Sequence, residues 1–239
     1  MANVVEGRAQ QAVGEMFNRI SRRYDLANRL LSFGIDQLWR HRTLHSLGNL
    51  EGKTLLDVAT GTGDLLWLSG KLTEPPRYRI GLDYSPAMIR YGRTRHPDEK
   101  VNWLHGSGDA LPLRDNSVDA ITIAFGIRNI AEYPTALREF HRVLVSGGKV
   151  AILEFSIPAN PVWRSVYGFY FHHVLPVVGG VLSGNFDAYR YLPASVDKFP
   201  YGERFCEYMR DAGFQEVRGV ALTGGIATLY TGRGTGNRG

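Results

Sequence analysis

The sequence predicts an α/β fold built on a doubly wound sheet, with helices before it and a helical insertion late in the chain. Three observations carry this. Apolar strand-like runs alternate with helix-like segments from residue 53 to residue 155. The first run opens into the glycine loop Asp57-Val58-Ala59-Thr60-Gly61-Thr62-Gly63-Asp64, and the second ends on an acid, Asp83. Two further strand-like runs follow a long stretch of prolines and aromatics. Strand-then-helix alternation means parallel strands with helices on both faces, and ligands then bind at the C-terminal strand ends.

Residues 8–45 read as helices, because Val13, Phe17, Ile20 and Tyr24 recur at helical spacing and Leu30, Leu31 and Phe33 follow. A strand over 53–59 precedes a helix over 64–72, and a strand over 78–83 precedes a helix over 86–95. Strands over 101–105 and 118–124, a helix over 134–144 and a strand over 149–155 complete the alternation. Residues 156–202 break the rhythm with Pro158, Pro161, Pro176, Pro193 and Pro200 and the Gly179-Gly180 pair. A helix over 203–212 stops at Gly213, a suitable C-cap, and 216–222 with 226–231 reads as an antiparallel edge hairpin. The expected organisation is one domain: N-terminal helices over 1–50, a cofactor-binding core over 51–155, a cap insertion over 156–202, and a last helix and strands over 203–232. The tail over 233–239 is too rich in glycine to pack.

With 44% hydrophobic and 21% charged residues, the 239-residue chain has the composition of an ordinary globular protein. The single cysteine, Cys206, excludes an internal disulfide and a cysteine-based zinc site, and no metal is expected. There is no leader-like start and no apolar run of about 18 residues, so a cytoplasmic location is expected, peripheral to the inner face of a membrane at most. The net charge of +5 invites a nucleic-acid or membrane-surface partner. Because the basic residues are scattered and not interleaved with aromatics, no nucleic-acid partner is expected, while transient contact with an anionic membrane stays open.

A glycine loop between strand and helix lets backbone approach a bound nucleoside, and the helix N-terminus offers free N–H groups. Asp83, at the tip of the next strand, suits both ribose hydroxyls of an adenosine-containing cofactor. A dinucleotide needs Gly-x-Gly-x-x-Gly, whereas Gly61-Thr62-Gly63-Asp64-Leu65-Leu66 lacks the third glycine and puts Asp64 where a carboxylate repels phosphate. Asp57 adds a further acid. These carboxylates suit the ammonium and sulfonium of S-adenosylmethionine. Seven strands with a reversed last one likewise fit a methyltransferase-type sheet better than a dehydrogenase's. The alternative is a tight turn without a ligand, in which Asp64 serves only the helix dipole.

Several longer stretches add to this: Phe17-Asn18-Arg19-Ile20-Ser21-Arg22-Arg23-Tyr24-Asp25, Leu31-Ser32-Phe33-Gly34, Leu38-Trp39-Arg40 and Leu111-Pro112-Leu113-Arg114-Asp115-Asn116-Ser117-Val118-Asp119. The narrowest are Phe125-Gly126-Ile127-Arg128-Asn129, Leu153-Glu154-Phe155-Ser156 and Tyr189-Arg190-Tyr191-Leu192-Pro193. On these the chain resembles, along nearly its whole length, the UbiE/MenG quinone C-methyltransferases, which methylate a ring carbon of demethylmenaquinol or of a ubiquinol precursor. The resemblance implies a class I S-adenosylmethionine-dependent methyltransferase and a lipid quinol partner, and a homodimer is compatible with it. The chain departs from the family in having Ser107, followed by Gly108, where an adenine-contacting Asp or Asn is usual. It also has Ala124 for Ser, Ser146 for Pro and Tyr230 for a late His. The cofactor residues are thus expected to be Asp57, Gly61, Thr62, Gly63, Asp83, Ser107, Gly108 and Ala124.

Methyl transfer from a sulfonium is an in-line displacement, so positioning supplies much of the rate. The acceptor carbon becomes nucleophilic when a neighbouring hydroxyl ionises, and a phenol titrates near 10, so the site must favour the phenolate. Arg128, after a strand end, is the candidate to stabilise that oxyanion, though it holds its own proton too tightly to be the base. His172, beside His173, is a candidate proton acceptor, with a hydrogen-bonded structural histidine as the alternative. Adjacent histidines on a helix point about 100° apart, which disfavours a shared metal. Tyr24, Tyr189 and Tyr191 are candidates to bond substrate or cofactor, against the reading as buried aromatics with satisfied hydroxyls, and the resemblance favours Tyr24 and Tyr189. The apolar stretch around 169–182 is expected to form a cap lining the acceptor pocket, with transient membrane contact. The expected reaction is demethylmenaquinol to menaquinol. The alternatives are a ubiquinone precursor, another apolar small molecule, or a non-catalytic cofactor-binding scaffold.

Overall fold

The computed structural model describes residues 34–183 and 186–236, apart from the side chains of 181–190. The helices expected before residue 34, with Tyr24, lie outside the described residues. Helix α1 (Ile35–Ser46) leads into β1 (Thr54–Val58), α2 (Asp64–Ser69), β2 (Tyr78–Asp83), α3 (Pro86–Arg95) and β3 (Val101–His105). Then come β4 (Val118–Ala124), a 3-10 turn (Ile127–Asn129), α4 (Tyr133–Val143) and β5 (Leu144–Phe155). The cap comprises α5 (Pro161–Phe169), a π turn (Tyr170–Val174), α6 (Leu175–Ser183) and α7 (Phe186–Lys198). Helix α8 (Glu203–Asp211), β6 (Gln215–Leu222) and β7 (Ala227–Arg233) complete the described chain.

Among the described residues seven strands form one sheet in the order β3-β2-β1-β4-β5-β7-β6. Strands β1 to β5 run parallel, and β7 is antiparallel to both β5 and β6. The hairpin is as expected, but β7 lies inside the sheet and β6 forms the edge. Neighbouring residues on a strand serve opposite faces. Leu56 and Ile121 therefore join Phe140 of α4 and Phe205 of α8 on one face. Leu55 and Ala120 join Trp39 and Leu44 of α1 on the other. Helix α4 lies on the sheet through Ala136, Leu137, Phe140 and Val143, a spacing that puts them on one stripe. The chain departs from β1 toward opposite sheet edges to reach β2 and β4, so a crevice opens beyond their C-terminal ends.

Two expectations change. Strand β5 begins earlier, at Leu144, because its register with β4 jumps from Val118↔Leu144 to Ala120↔Lys149 and residues 145–148 form an irregularity within it. The tail is partly paired: Gly147 N–H donates to Gly234 O (2.8 Å), Gly234 N–H donates to Gly148 O (2.8 Å), and Thr235 Oγ1 meets His141 Nε2 at 3.0 Å. Backbone pairing needs no side chains, so glycine there does not prevent order.

The cap is more regular than its prolines suggest. Pro161 occupies the first position of α5, behind Asn160, whose side chain accepts from Trp163 N–H at 3.0 Å. Pro176 follows the π turn, where Leu175 N–H already reaches back to Tyr170 O and the α-helical ladder is open. Pro193 lies inside α7. Phe171, Leu175, Leu192 and Val196 form a small core under the cap, with Phe155 and Tyr167 against it.

Tyr230, at the position of a late family His, is fully buried, and its hydroxyl accepts from Gly202 N–H (2.7 Å) at the start of α8. Burial pushes its phenol up to about 12. Tyr230→Phe orphans that N–H and is expected to cost about 1–3 kcal/mol, read as a lower urea midpoint at unchanged slope.

Candidate active site

The crevice beyond β1, β2 and β4 is the candidate site. Asp57, on β1, is 2% exposed and accepts hydroxyl bonds from Thr60 (2.6 Å) and Thr122 of β4 (2.6 Å). Burial raises its carboxyl to about 6, against the two hydroxyls and the charge of Arg40. Asp83, at the end of β2, accepts Gly61 N–H at 2.7 Å on one oxygen and Ser85 N–H at 2.8 Å on the other. Burial raises its pKa as well, and those backbone bonds oppose the shift. Asp64 opens α2 and faces Arg95 (3.4 Å) and His96 (3.7 Å).

The loop between these acids is held in left-handed backbone. Gly61 has φ 58° and Gly63 has φ 84°, and a Cβ on Gly63 would stand 2.5 Å from the Trp103 indole. Ala59 (φ 48°) and Phe125 (φ 58°), after β1 and β4, adopt the same region without being glycine. Such strain at two strand ends facing one crevice is typical of a ligand site. Gly108 is required by close approach, since a Cβ there would lie 2.7 Å from Ile130 and 3.0 Å from Val58.

The expected cofactor residues Asp57, Gly61, Thr62, Asp83, Ser107, Gly108 and Ala124 all line this crevice, and Gly63 caps α2 beside it. Arg40 and Asn129 line it too. Both stood in quoted motifs, yet nothing in residue type or spacing assigned them to the cofactor. Among the described residues, three carboxylates against the single lining cation Arg40 make a negative crevice, which fits a cationic cofactor such as S-adenosylmethionine and opposes a pyrophosphate. Among the described residues no group of histidine, cysteine and carboxylates is arranged to hold a metal.

The expected catalytic residues whose side chains are described, Arg128 and His172, are not gathered there. Arg128 does not line the crevice. Its Nη1 donates to Glu154 (2.6 Å) and to Phe125 O (2.7 Å), and its Nε donates to Ser195 of α7 (3.2 Å). Glu154 is fully buried, and desolvation pushes its carboxyl up more than the Arg128 charge pulls it down. His172 is exposed on the cap, with Nδ1 on Gly168 O (2.9 Å) and Nε2 on Asp197 (3.0 Å). The Asp197 and Gly168 bonds raise its pKa. Tyr191 donates its hydroxyl to Asn129 (3.0 Å). Tyr189 is in α7, but its side chain lies outside what is described, as does all of Tyr24.

The model of the ubiE/COQ5 methyltransferase family matches residues 4–234. The chain belongs to that family. It is 46% identical over 219 residues to a demethylmenaquinone methyltransferase of Thermus thermophilus, covering 91% of this chain and 99% of that protein. It is 44% identical over 226 residues to a ubiquinone/menaquinone biosynthesis C-methyltransferase UbiE of Geobacter sp. (strain M21), covering 93% and 96%. Solved structures share the fold at lower identity. One is a SAM-dependent methyltransferase from Aquifex aeolicus (TM-score 0.57, 24% identity, 81% of this chain and 88% of that one). Another is Haemonchus contortus phosphoethanolamine N-methyltransferase 2 in complex with S-adenosyl-L-methionine (TM-score 0.64, 13% identity, 87% and 56%).

The Arg128–Glu154 pair changes how Arg128 must be tested, because removing one partner of a buried pair strands the other charge. Arg128→Ala is expected to lose about 3–5 kcal/mol of stability, and Arg128→Met with Glu154→Gln clearly less, both measured by urea unfolding.

Proposed function

We propose that the chain transfers the methyl group of S-adenosylmethionine to a ring carbon of a polyprenylated quinol, demethylmenaquinol foremost. The observation that carries this is the pair of buried carboxylates, Asp57 and Asp83, on either side of the Gly61–Gly63 loop in a chain of the ubiE/COQ5 family. The choice of menaquinol is supported by relatives in Thermus thermophilus and Deinococcus radiodurans that are named demethylmenaquinone methyltransferase.

When bound, S-adenosylmethionine supplies an electrophilic methyl group on a sulfonium. Asp83 would take the ribose hydroxyls, and its bonds to Gly61 and Ser85 fix the direction of its carboxylate. Asp57 and Asp64 provide negative potential toward the cationic amino-acid end. Ser107 and Gly108, which line the crevice, would border the adenine. Burial of the crevice floor by Val58, Leu65 and Leu82 keeps water from these charges and strengthens them.

Arg128 serves this reading in two ways. Its bonds to Phe125 O and Glu154 shape the turn that ends the crevice wall, and its Nη2, which bonds no described residue, is the group left for the acceptor's oxyanion. His172 is dropped as the base, because both ring nitrogens are engaged on the cap. A nucleic-acid partner is left out of the proposal, since the 28 Lys and Arg are scattered along the chain. A homodimer stays within the proposal.

Transfer from labelled S-adenosylmethionine is expected with reduced demethylmenaquinone and not with the oxidised quinone. Bound cofactor without product from the quinol would sink the proposal. Cofactor affinity should also depend on pH. A cation prefers ionised Asp57, so affinity should fall as pH drops through about 6 and level off above it. In calorimetry, Asp57→Asn should flatten that profile and lower affinity by about 1.5–3 kcal/mol.

A further inference from the structure

The cap carries an apolar face that the active site does not use. Val162, Val166, Phe169, Val174, Val177 and Val178 are exposed, from 36% for Val174 to 74% for Val162. They lie on α5, the π turn and α6, which succeed one another without a break in right-handed helical backbone. At about 100° per residue, Val162, Val166 and Phe169 fall within roughly 60° of arc. Continued as α-helix, the chain would carry Val174 and Val178 about 120° and 160° around from Val162. The π turn inserts one residue and sets α6 back by about 100°, which brings all six within an arc of about 100°. The opposite side packs Phe171 and Leu175 against Leu192 and Val196 of α7.

Two histidines accompany the π turn. His172 Nδ1 lies on Gly168 O (2.9 Å) and His173 Nδ1 on Phe169 O (3.3 Å), engaging carbonyls where the α-helical ladder opens. The His173 ring stacks on exposed Phe169 at 5.1 Å. From Pro161 to Ser183 the sequence has Arg164, His172 and His173 and neither Asp nor Glu, in a chain of net charge +5. No described helix is long and apolar enough to cross a membrane. An exposed apolar stripe without carboxylates, about 24 Å long, has the character of a helix lying in a bilayer surface.

We propose that this face seats the enzyme on an anionic lipid bilayer, α5 and α6 lying in the interface, so that the polyprenyl chain of the acceptor passes from membrane to cap without crossing water. The proposal rests on the quinol reading above for its purpose, and on the face itself for its geometry.

The test is flotation of the full chain with vesicles of phosphatidylglycerol and phosphatidylcholine, and with phosphatidylcholine alone. It compares the natural protein with Phe169→Gln/Val177→Gln, after matched urea unfolding of the two. The natural protein should float with the anionic vesicles, and the double variant should bind them at least about tenfold more weakly. Methylation of a short-chain, water-soluble quinol should be equal in both, while methylation of a long-chain quinol held in vesicles should fall in the variant. No flotation of the natural protein, or equal flotation of the two, would overturn the docking. So would a dimer that the substitutions split without any change in flotation, since the face would then join two copies. Failure to methylate the short-chain quinol in either protein would instead count against the quinol reading, with flotation still deciding the docking.

Discussion

The carboxylate of Asp57, buried where β1 meets β4, is the constraint on which the crevice depends. One oxygen holds Thr60 in the loop and the other holds Thr122 on the neighbouring strand, so the loop cannot move without parting from the sheet. From the other side Asp83 holds Gly61 and Ser85 by their N–H groups. Between the two anchors the backbone passes through left-handed conformations at Ala59, Gly61 and Gly63. Desolvation is the largest cause of the raised pKa at both carboxylates, and the charge of Asp83 adds to the rise at Asp57. An arrangement that disfavours its own negative charge is relieved by a cationic ligand, and this makes the crevice selective as well as hospitable.

Much of this was legible in the sequence, for identifiable reasons. Strands β2, β3 and β4 have the expected limits because short apolar runs bounded by turn residues leave little choice of end. Asp57 and Asp83 could be placed because β1 and β2 are parallel neighbours, with Asp57 opposite Gly81 in register. The left-handed backbone at Ala59 and Phe125 had no such signal, since neither residue type prefers it. The fate of Arg128 was equally hidden. Its partner Glu154 is 26 positions away on β5, and only the parallel pairing of β4 with β5 brings them together.

The cap is helical as expected, and its prolines are tolerated there by position. A proline interrupts a helix by its missing N–H and by its ring. At the first position of α5 the N–H has no partner to lose, and after the π turn the ladder is already open. The His172-His173 pair belongs to the same account. As a sequence it suggests proton transfer, whereas in place each ring serves its own helix, and the exposure of His172 removes it from the crevice.

The polar crevice and the apolar cap meet through α7. Its Leu192 and Val196 pack against Phe171 and Leu175 of the cap, while its Ser195 holds Arg128 and its Tyr191 holds Asn129. Arg128 and Asn129 belong to the turn that closes the crevice wall, and Asn129 is part of the lining itself. A displacement of α5 and α6 therefore reaches the cofactor side through one packed core and two side-chain bonds. The two ligands of the proposed reaction differ as much as ligands can, one a charged nucleoside and the other a hydrocarbon chain with a phenol at its end. Keeping carboxylates on strand ends and hydrocarbon on a separate helical layer lets one small chain hold both without burying an unpaired charge beside the lipid. The turn from Phe125 to Asn129 is where the two layers touch, and the proposed reaction would place its acceptor beside it.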